Sequence, residues 1–413
     1  MGLIIYNILI RIFNLLILVY SNFNSKAKLL VTGRRIAFNS IEDKLQKGKK
    51  NLWFHCASLG EFEQALPLIE AIKVTYPQYQ LFVSFFSPSG FEYQKDNPFA
   101  DGIFYLPADT KSNAKSLIDL LNPSAVFFIK YEYWYHYLNT CNEKGIPVIS
   151  VSTILRPDQV FFKFYGSLYR EMLRKFYFFF VQNQDTLELL RSVGLENAII
   201  SGDTRFDRVN SILNKNTPVK FIDNFKGSDK LIVLGSTWRK DIDLWMDYIN
   251  SSQNLKFIIA PHNISMEEIA YIEEKINSKT IRYSNISNGV DSVNVVIIDN
   301  IGMLSSIYKY ADITYVGGAF GEGLHNILEP ATYSKPVIIG KGKLNKKYQE
   351  VQALLNAGGA FEIADSSSLE RVLKELLTDE DFYSKASQAC RSYVERNLGS
   401  TDAILNNLKA ILS

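Results

Sequence analysis

LWFHCASLGEFEQALPLIEAI, residues 52–72, changes its periodicity halfway along. Residues 52–57 form an apolar run, Ser58 and Gly60 supply a small-residue turn, and Phe62, Ala65, Leu66, Ile69 and Ile72 then recur at the three- and four-residue spacing of one helix face. An apolar strand that enters a helix through a tight turn is half of a parallel-sheet unit, whose strands are buried on both faces. The pattern continues through LFVSFFS, GIFYLP, AVFFIK, PVISVS, FYFFFVQN and AIISGD. It pauses at the polar, proline-containing stretch 214–230 and restarts with LIVLGST, KFIIAPH, NVVIIDN, DITYVGG and KPVIIGK, before helical sequence from about residue 366. The sequence therefore predicts an α/β protein with two Rossmann-like, doubly wound domains, 36–213 and 231–413, joined by a linker at 214–230.

Composition narrows the function classes. With 413 residues, 47% hydrophobic and 21% charged, the chain can bury more than one core, which excludes disordered and collagen-like classes. A formal net charge of +2 without a long Lys/Arg tract gives no case for nucleic-acid binding. Cys56, Cys141 and Cys390 lie far apart, so neither a disulfide framework nor a zinc knuckle is expected, and a reducing, cytoplasm-facing setting fits.

Residues 1–35 differ from the rest. Residues 3–20 are apolar enough to suggest a spanning helix, but Asn7, Arg11 and Asn14 fall on one helical face, the pattern of a helix lying in the membrane interface. Lys26, Lys28, Arg34 and Arg35 follow and suit an anionic cytoplasmic leaflet. A single spanning helix, or a helix buried on the protein's own core, are the other readings of the same stretch.

In doubly wound sheets ligands bind beyond the carboxyl ends of the strands, so strand-to-helix turns carry the candidate residues. Ser58-Leu59-Gly60-Glu61 is one: Ser58 and Glu61 have capping-box spacing, and a carboxylate at a strand's carboxyl edge is also placed to take a proton from an incoming hydroxyl. In VGGAFGEGLHNILEP, residues 316–330, Gly317, Gly318, Gly321 and Gly323 precede a helix expected near His325, so free backbone N–H groups are expected to meet a phosphate. Glu329 can accept from vicinal sugar hydroxyls or complement the helix dipole. Ser236 and Thr237 in GSTWRKD and His262 in APHN stand at two further strand ends, and together these turns point to a shared anion or nucleotide site.

HCASLGEFEQALPLIEAI, VQNQDTLELLRSVGLENAIISGDTRFDRV, GSTWRKD and VGGAFGEGLHNILEPATYSKPVIIG, in that order, resemble the 3-deoxy-D-manno-octulosonic acid (Kdo) transferases of lipopolysaccharide biosynthesis. The resemblance implies a GT-B glycosyltransferase, two Rossmann-like domains facing a central cleft, with CMP-Kdo held mainly by the C-terminal one. It also implies a lipid A precursor as acceptor at the cytoplasmic face of the inner membrane, and an inverting transfer needing no metal or other cofactor. Glu61 matches the family's general base, Ser58 and Gly60 the surface where acceptor and sugar approach, Glu329 the ribose contact, and His325 and Asn326 the groups near the phosphate. Two positions depart from the family pattern. Lys130 in IKYEYW stands where an acidic residue is usual, leaving Glu132, and APHN replaces a Pro-Arg-His segment, so that its Arg contact is either missing or supplied elsewhere, for example by Arg239 or Lys240. Arg156, in a loop that is basic in the family, is a candidate contact for the Kdo carboxylate. UDP-sugar epimerases and lipid A disaccharide synthase share the two-lobed layout, and a silent membrane-bound nucleotide-binding protein would keep the same turns. Binding of UDP but not CMP, or binding without transfer, distinguishes these alternatives.

Overall fold

The computed structural model describes residues 2–412 except 131, 215–217, 291 and 322. The chain divides into two compact units, Met1–Arg208 with Leu398–Ser413, and Val209–Asn397.

Unit 1 opens with helices α1 (Gly2–Tyr20) and α2 (Ser25–Glu42), followed by β1 (Lys50–Cys56) and α3 (Leu59–Thr75). Six further strands follow: β2 (Tyr79–Phe85), β3 (Gly102–Tyr105), β4 (Pro123–Ile129), β5 (Val148–Thr153), β6 (Phe178–Val181) and β7 (Ala198–Ile200). All seven coincide with apolar runs read from the sequence. They form one parallel sheet in the order β3-β2-β1-β4-β5-β6-β7, with Leu52 opposite Ala125 and His55 opposite Phe128 where β1 meets β4. The two-residue period of a strand sends neighbours to opposite faces. Trp53 accordingly joins Phe82, Phe128 and Leu138 on one side, and Phe54 joins Phe127, Leu66 and Ile69 on the other.

Unit 2 contains β8 (Lys230–Thr237), β9 (Leu255–Pro261), β10 (Thr280–Arg282), β11 (Val295–Ile297), β12 (Ile313–Val316), β13 (Val337–Gly340) and β14 (Ala360–Ile363). The parallel order is β10-β11-β9-β8-β12-β13-β14. Both strands that the sequence did not announce, β10 and β14, are the edges of this sheet. An edge strand is covered less completely, and here the three residues of β10 are all half-buried, so neither leaves a continuous apolar run.

The division of the chain differs from the expected boundaries in two ways. The stretch expected as linker contains the helix Phe221–Lys226, with Phe221, Ile222 and Phe225 buried, and then the start of β8; its residues 215–217 lie outside the described residues. The last helix, Ser400–Leu412, does not stay with 231–413. Ile404, Leu408 and Leu412 enter the core of unit 1 beside α3, and Asp207 accepts from the N–H groups of Gly399 (2.8 Å) and Thr401 (2.6 Å).

Two members of the polar stripe of α1, Asn7 and Asn14, face the protein, where a helix in the membrane interface would turn them to water, while Arg11 is exposed. Asn14 Oδ1 accepts from Arg34 (3.0 Å), and Asn7 Oδ1 lies 2.6 Å from His136 Nε2. Ile4, Ile5, Ile8, Leu9, Ile12, Leu15, Leu16 and Val19 are exposed instead. Arg34 belongs to this contact and reaches the Leu106 carbonyl at 2.9 Å, so of the expected basic cluster Lys26, Lys28 and Arg35 remain exposed.

Candidate active site

In unit 1 the strand order reverses between β1 and β4, and the crevice outside the carboxyl ends of those strands is where doubly wound sheets bind ligands. Glu61 reaches this place from β1, and Lys130 and Glu132 reach it from β4. Ser58 caps α3, its Oγ accepting the Glu61 N–H at 3.4 Å, and the Glu61 carboxylate accepts the N–H of Ala57. The capping reading is therefore satisfied in modified form: the carboxylate reaches one residue beyond the cap. Gly60 is exposed, and a methyl group there would meet nothing closer than Ser58 Oγ at 4.0 Å, so the turn is open to an approaching molecule.

Glu61 is only 6% exposed. Burial, and then the charge of Glu132, push its pKa up to about 7, against the Ala57 N–H and the positive charge of Lys130, which favour the carboxylate. Cys56, whose own pKa burial pushes up, completes the titratable groups that interact with Glu61 here. Glu132 accepts from Trp134 Nε1 at 2.9 Å and lies 3.5 Å from His55 Nε2; the His55 ring is fully buried and meets Ser84 Oγ at 2.8 Å through Nδ1. Lys130 has φ +66, a conformation that costs a side-chain-bearing residue energy and that tends to be kept at functional sites. It gives Glu61 a basic neighbour at a position where the family resemblance leads one to expect an acidic one. The sequence showed the departure, and the structure shows which group it acts on. Arg156 stands on the exposed loop after β5, with Asp158 at 4.0 Å.

Unit 2 repeats the logic. Its strand order reverses between β8 and β12; Ser236 and Thr237 end β8, and Gly317 and Gly318 follow β12. Ser236 is also left-handed, with φ +53. The two turns are in contact: a Cβ on Gly317 would lie 2.5 Å from the Ser236 carbonyl oxygen and 2.7 Å from Asp241 Oδ2, so only glycine fits. Gly318 has φ +96, and its N–H donates to Asp241 at 3.0 Å. Asp241, 1% exposed at the start of the helix Arg239–Ser251, also accepts the Trp238 N–H (2.8 Å) and the Tyr315 hydroxyl (2.5 Å).

The helix after the glycine loop starts at Leu328, later than expected, and spans only Leu328–Thr332. The loop turns its N–H groups inward: Gly317 to Gly235 O, Gly321 and Gly323 to Gly318 O, and His325 to Gly317 O. These glycines allow close backbone approach, and the phosphate donors foreseen among them are already engaged. Thr237 is buried, and its hydroxyl finds no hydrogen-bond partner among the described residues. The His262 and His325 rings stack with centroids 4.5 Å apart, and Trp238 stacks on His262 at 4.6 Å. Burial, with the neighbouring His262, pulls the His325 pKa down to about 4, so its ring is neutral at physiological pH; its Nε2 accepts from Trp238 Nε1 at 3.2 Å. Asn326 donates to one Glu329 carboxylate oxygen (3.2 Å) and Ser305 to the other (2.5 Å).

Arg239, foreseen as a substitute phosphate contact, is bound to Glu267 and Glu268 at 2.5 and 2.9 Å. With Trp238, Lys240, Gly318, Phe320 and Gly321 it lines a cavity of about 240 Å³. The sequence reading missed Trp238, Asp241 and Ser305. The first two lie inside GSTWRKD, where hydroxyl groups drew the attention, whereas Ser305 is 24 residues from its partner and carries no local signal. Among the described residues no group of three His, Cys, Asp or Glu side chains is placed to hold a metal ion.

Residues 32–208 match the family described as 3-Deoxy-D-manno-octulosonic-acid transferase (kdotransferase). The chain is 27% identical over 348 residues to the 3-deoxy-D-manno-octulosonic acid transferase of Aquifex aeolicus, covering 82% of this chain and 89% of that one. It is 25% identical over 385 residues to a bifunctional glycosyltransferase/methyltransferase of Fusobacterium nucleatum, covering 88% of this chain but spanning only 59% of that longer protein. The fold is similar to that of UDP-GlcNAc 2-epimerase from Neisseria meningitidis, solved with UDP-GlcNAc, with TM-score 0.62 and 16% identity over 87% of this chain and 99% of that one. Two parallel-sheet units with side-chain clusters at both switch points, and a match that begins before β1 and continues through β7, point the same way: residues 32–208 carry the pattern of the Kdo transferase family, and the chain as a whole is similar to Kdo transferases.

Proposed function

We propose that this protein moves Kdo from CMP-Kdo to a hydroxyl of a lipid A precursor, with inversion and with Glu61 as general base. The observation that carries the reading is Glu61 itself, a buried carboxylate at the switch point of unit 1 whose pKa is about 7. A base with that pKa is ionised for a useful fraction of the time at neutral pH and still basic enough to take a proton. The acceptor oxygen, the 6′-hydroxyl of the precursor, forms a bond to the anomeric carbon of Kdo as the bond to CMP breaks. The hydroxyl proton passes to Glu61 and CMP leaves with the bonding pair. Ser58 and Gly60 border the acceptor, Glu132 holds the turn beside it, and Arg156 meets the Kdo carboxylate.

On the donor side Glu329 takes the ribose hydroxyls. The neutral His325, with His262, Asn326, Ser236 and Thr237, surrounds the nucleotide phosphate, and Gly317, Gly318, Gly321 and Gly323 let the backbone approach it. No metal takes part, because CMP leaves with a single phosphate that hydroxyl and imidazole dipoles can accommodate. Lipid is the proposed partner of the exposed apolar face of α1, with Lys26, Lys28 and Arg35 toward anionic head groups of the inner membrane's cytoplasmic leaflet.

Mass spectrometry of a tetraacylated lipid A precursor after incubation with the full chain and CMP-Kdo tests the reading. The expected product is heavier by whole Kdo residues; no gain, under conditions where a known transferase works, would remove the assignment. Glu329→Ala is expected to weaken CMP binding before it affects the chemical step, and calorimetry with CMP measures this; unchanged affinity would place the ribose elsewhere. The pH profile gives a separate check. Since the base must be ionised, kcat/KM should rise with pH through about 7 and level off above it. Lys130→Met removes a charge that favours the carboxylate, so the rise should move to higher pH, and Glu132→Gln should move it lower.

A further inference from the structure

The inner face of α1 connects to the acceptor turn. Tyr6 Oη donates to Asp109 Oδ2 at 2.5 Å and accepts the Tyr135 N–H at 3.3 Å. Asp109, 2% exposed, also accepts the N–H groups of His136 (3.0 Å) and Tyr137 (3.1 Å), so it clamps the first turn of the helix Tyr135–Glu143. Asn7 meets the His136 ring beside it. About two helical turns further along α1, the Phe13 ring stacks on Phe86 (6.2 Å, 16°), and Phe86 stacks on Trp134 (5.7 Å, 19°). The Arg34 guanidinium lies 5.1 Å over the same Phe86 ring. Trp134 donates to Glu132 and lies 3.3 Å from His55 Nε2.

Two routes therefore run from α1 to residues 132–137, one hydrogen-bonded through Tyr6 and Asp109 and one aromatic through Phe13 and Phe86. A helix that served only to hold the protein at a membrane would need neither. It could be tethered by any apolar surface, and it would not place Asn7, Asn14 and Tyr6 on its protein side.

We propose that α1 is a positioning element of the acceptor site: by its contacts with Phe86, Asp109 and the Tyr135 N–H it holds Trp134 and Glu132 in place beside Glu61, so that seating of the helix and competence for transfer are linked. This rests on the acceptor-site reading of Glu61 given above. The helix that faces lipid is then also a wall of the turn that faces the acceptor, and an enzyme whose α1 has lifted off would hold a slack Glu132.

The test uses the full chain with Tyr6→Phe, Phe13→Leu and Phe86→Leu, which keep apolar bulk, and Phe86→Tyr as the conservative restoration. Transfer is measured at saturating precursor dispersed in detergent micelles, so that delivery from a bilayer is not limiting. Binding to anionic phospholipid vesicles is measured in parallel, as is hydrogen exchange across residues 132–137. The expected result is a kcat lowered roughly 10- to 100-fold, the scale of a small misplacement of reacting groups. Vesicle binding should be unchanged, amide exchange at Tyr135 and His136 faster, and kcat recovered in Phe86→Tyr. Wild-type kcat and exchange in Tyr6→Phe and Phe86→Leu would overturn the proposal and leave α1 an anchor. An effect confined to KM or to vesicle binding would overturn it equally. If wild-type protein transfers no Kdo while exchange at Tyr135 still rises in Tyr6→Phe, the coupling stands and the transfer reading is what fails.

Discussion

Glu61→Gln should leave CMP-Kdo binding close to that of the wild type and lower the rate of transfer by roughly 10²- to 10⁴-fold, the range lost with a general base. Glutamine keeps the shape of the side chain and can still accept the Ala57 N–H through its amide oxygen, so the turn at the carboxyl end of β1 should survive. Single-turnover measurement of Kdo transfer beside calorimetric CMP binding separates the two effects, and a variant with wild-type turnover would end the assignment of the base. The same substitution carries a stability signature. The folded pKa of Glu61, about 7, lies above its ordinary 4.5, so between those values the native state holds more protons than the unfolded one. Stability then falls as pH rises through that window, by up to about 3 kcal/mol from this one group. Glu61→Gln escapes that loss. It should be more resistant to urea than the wild type at pH 8, with the difference shrinking toward pH 4.5.

Asp241→Ala should be the most damaging single change in unit 2. It leaves the Trp238 and Gly318 N–H groups and the buried Tyr315 hydroxyl without their common acceptor. Each buried donor left unsatisfied costs about 1–3 kcal/mol, so a loss of at least about 3 kcal/mol is expected. It should be seen as an earlier urea transition by the fluorescence of Trp245, which is fully buried in the same unit. CMP affinity should fall with it, because Asp241 ties the turn after β8 to the glycine loop after β12. Gly317→Ala tests the same joint from the other side, since its methyl group would meet Ser236 O and Asp241 at 2.5 and 2.7 Å. An unshifted transition in Asp241→Ala would mean that this carboxylate does not hold the two turns together.

Much of this was legible in the sequence because the signals are local. Apolar runs marked all seven strands of unit 1, and Ser58 and Glu61 carried their capping spacing in four residues. What escaped was set by distant parts of the chain. β10 and β14 are strands because a neighbour offers them an edge, although neither is apolar throughout. Asn7 and Asn14 were read, with Arg11, as the polar face of an interfacial helix, because a sequence does not reveal that His136 and Arg34 wait beside the first two; of the three, Arg11 alone is exposed. The glycine loop looked like a phosphate cradle until its N–H groups were found to close the loop on itself. Glu61 was visible as a candidate, but the opposing charges of Lys130 and Glu132 arrive from β4, about seventy residues later.

The return of the last helix to unit 1 bears on the order in which this protein is made. Val209–Asn397 is an unbroken stretch and can fold as it leaves the ribosome, while unit 1, begun earlier, still lacks Ile404, Leu408 and Leu412. Each of these buried side chains contributes about 1.5–3 kcal/mol, and together they close the layer beneath α3, the helix that carries Glu61. The half synthesised first is thus finished last. A nascent chain halted before residue 400 would carry a folded unit 2 and an open, adhesive surface on unit 1, and the proposed base would stand on an unsupported helix until synthesis of that segment ends.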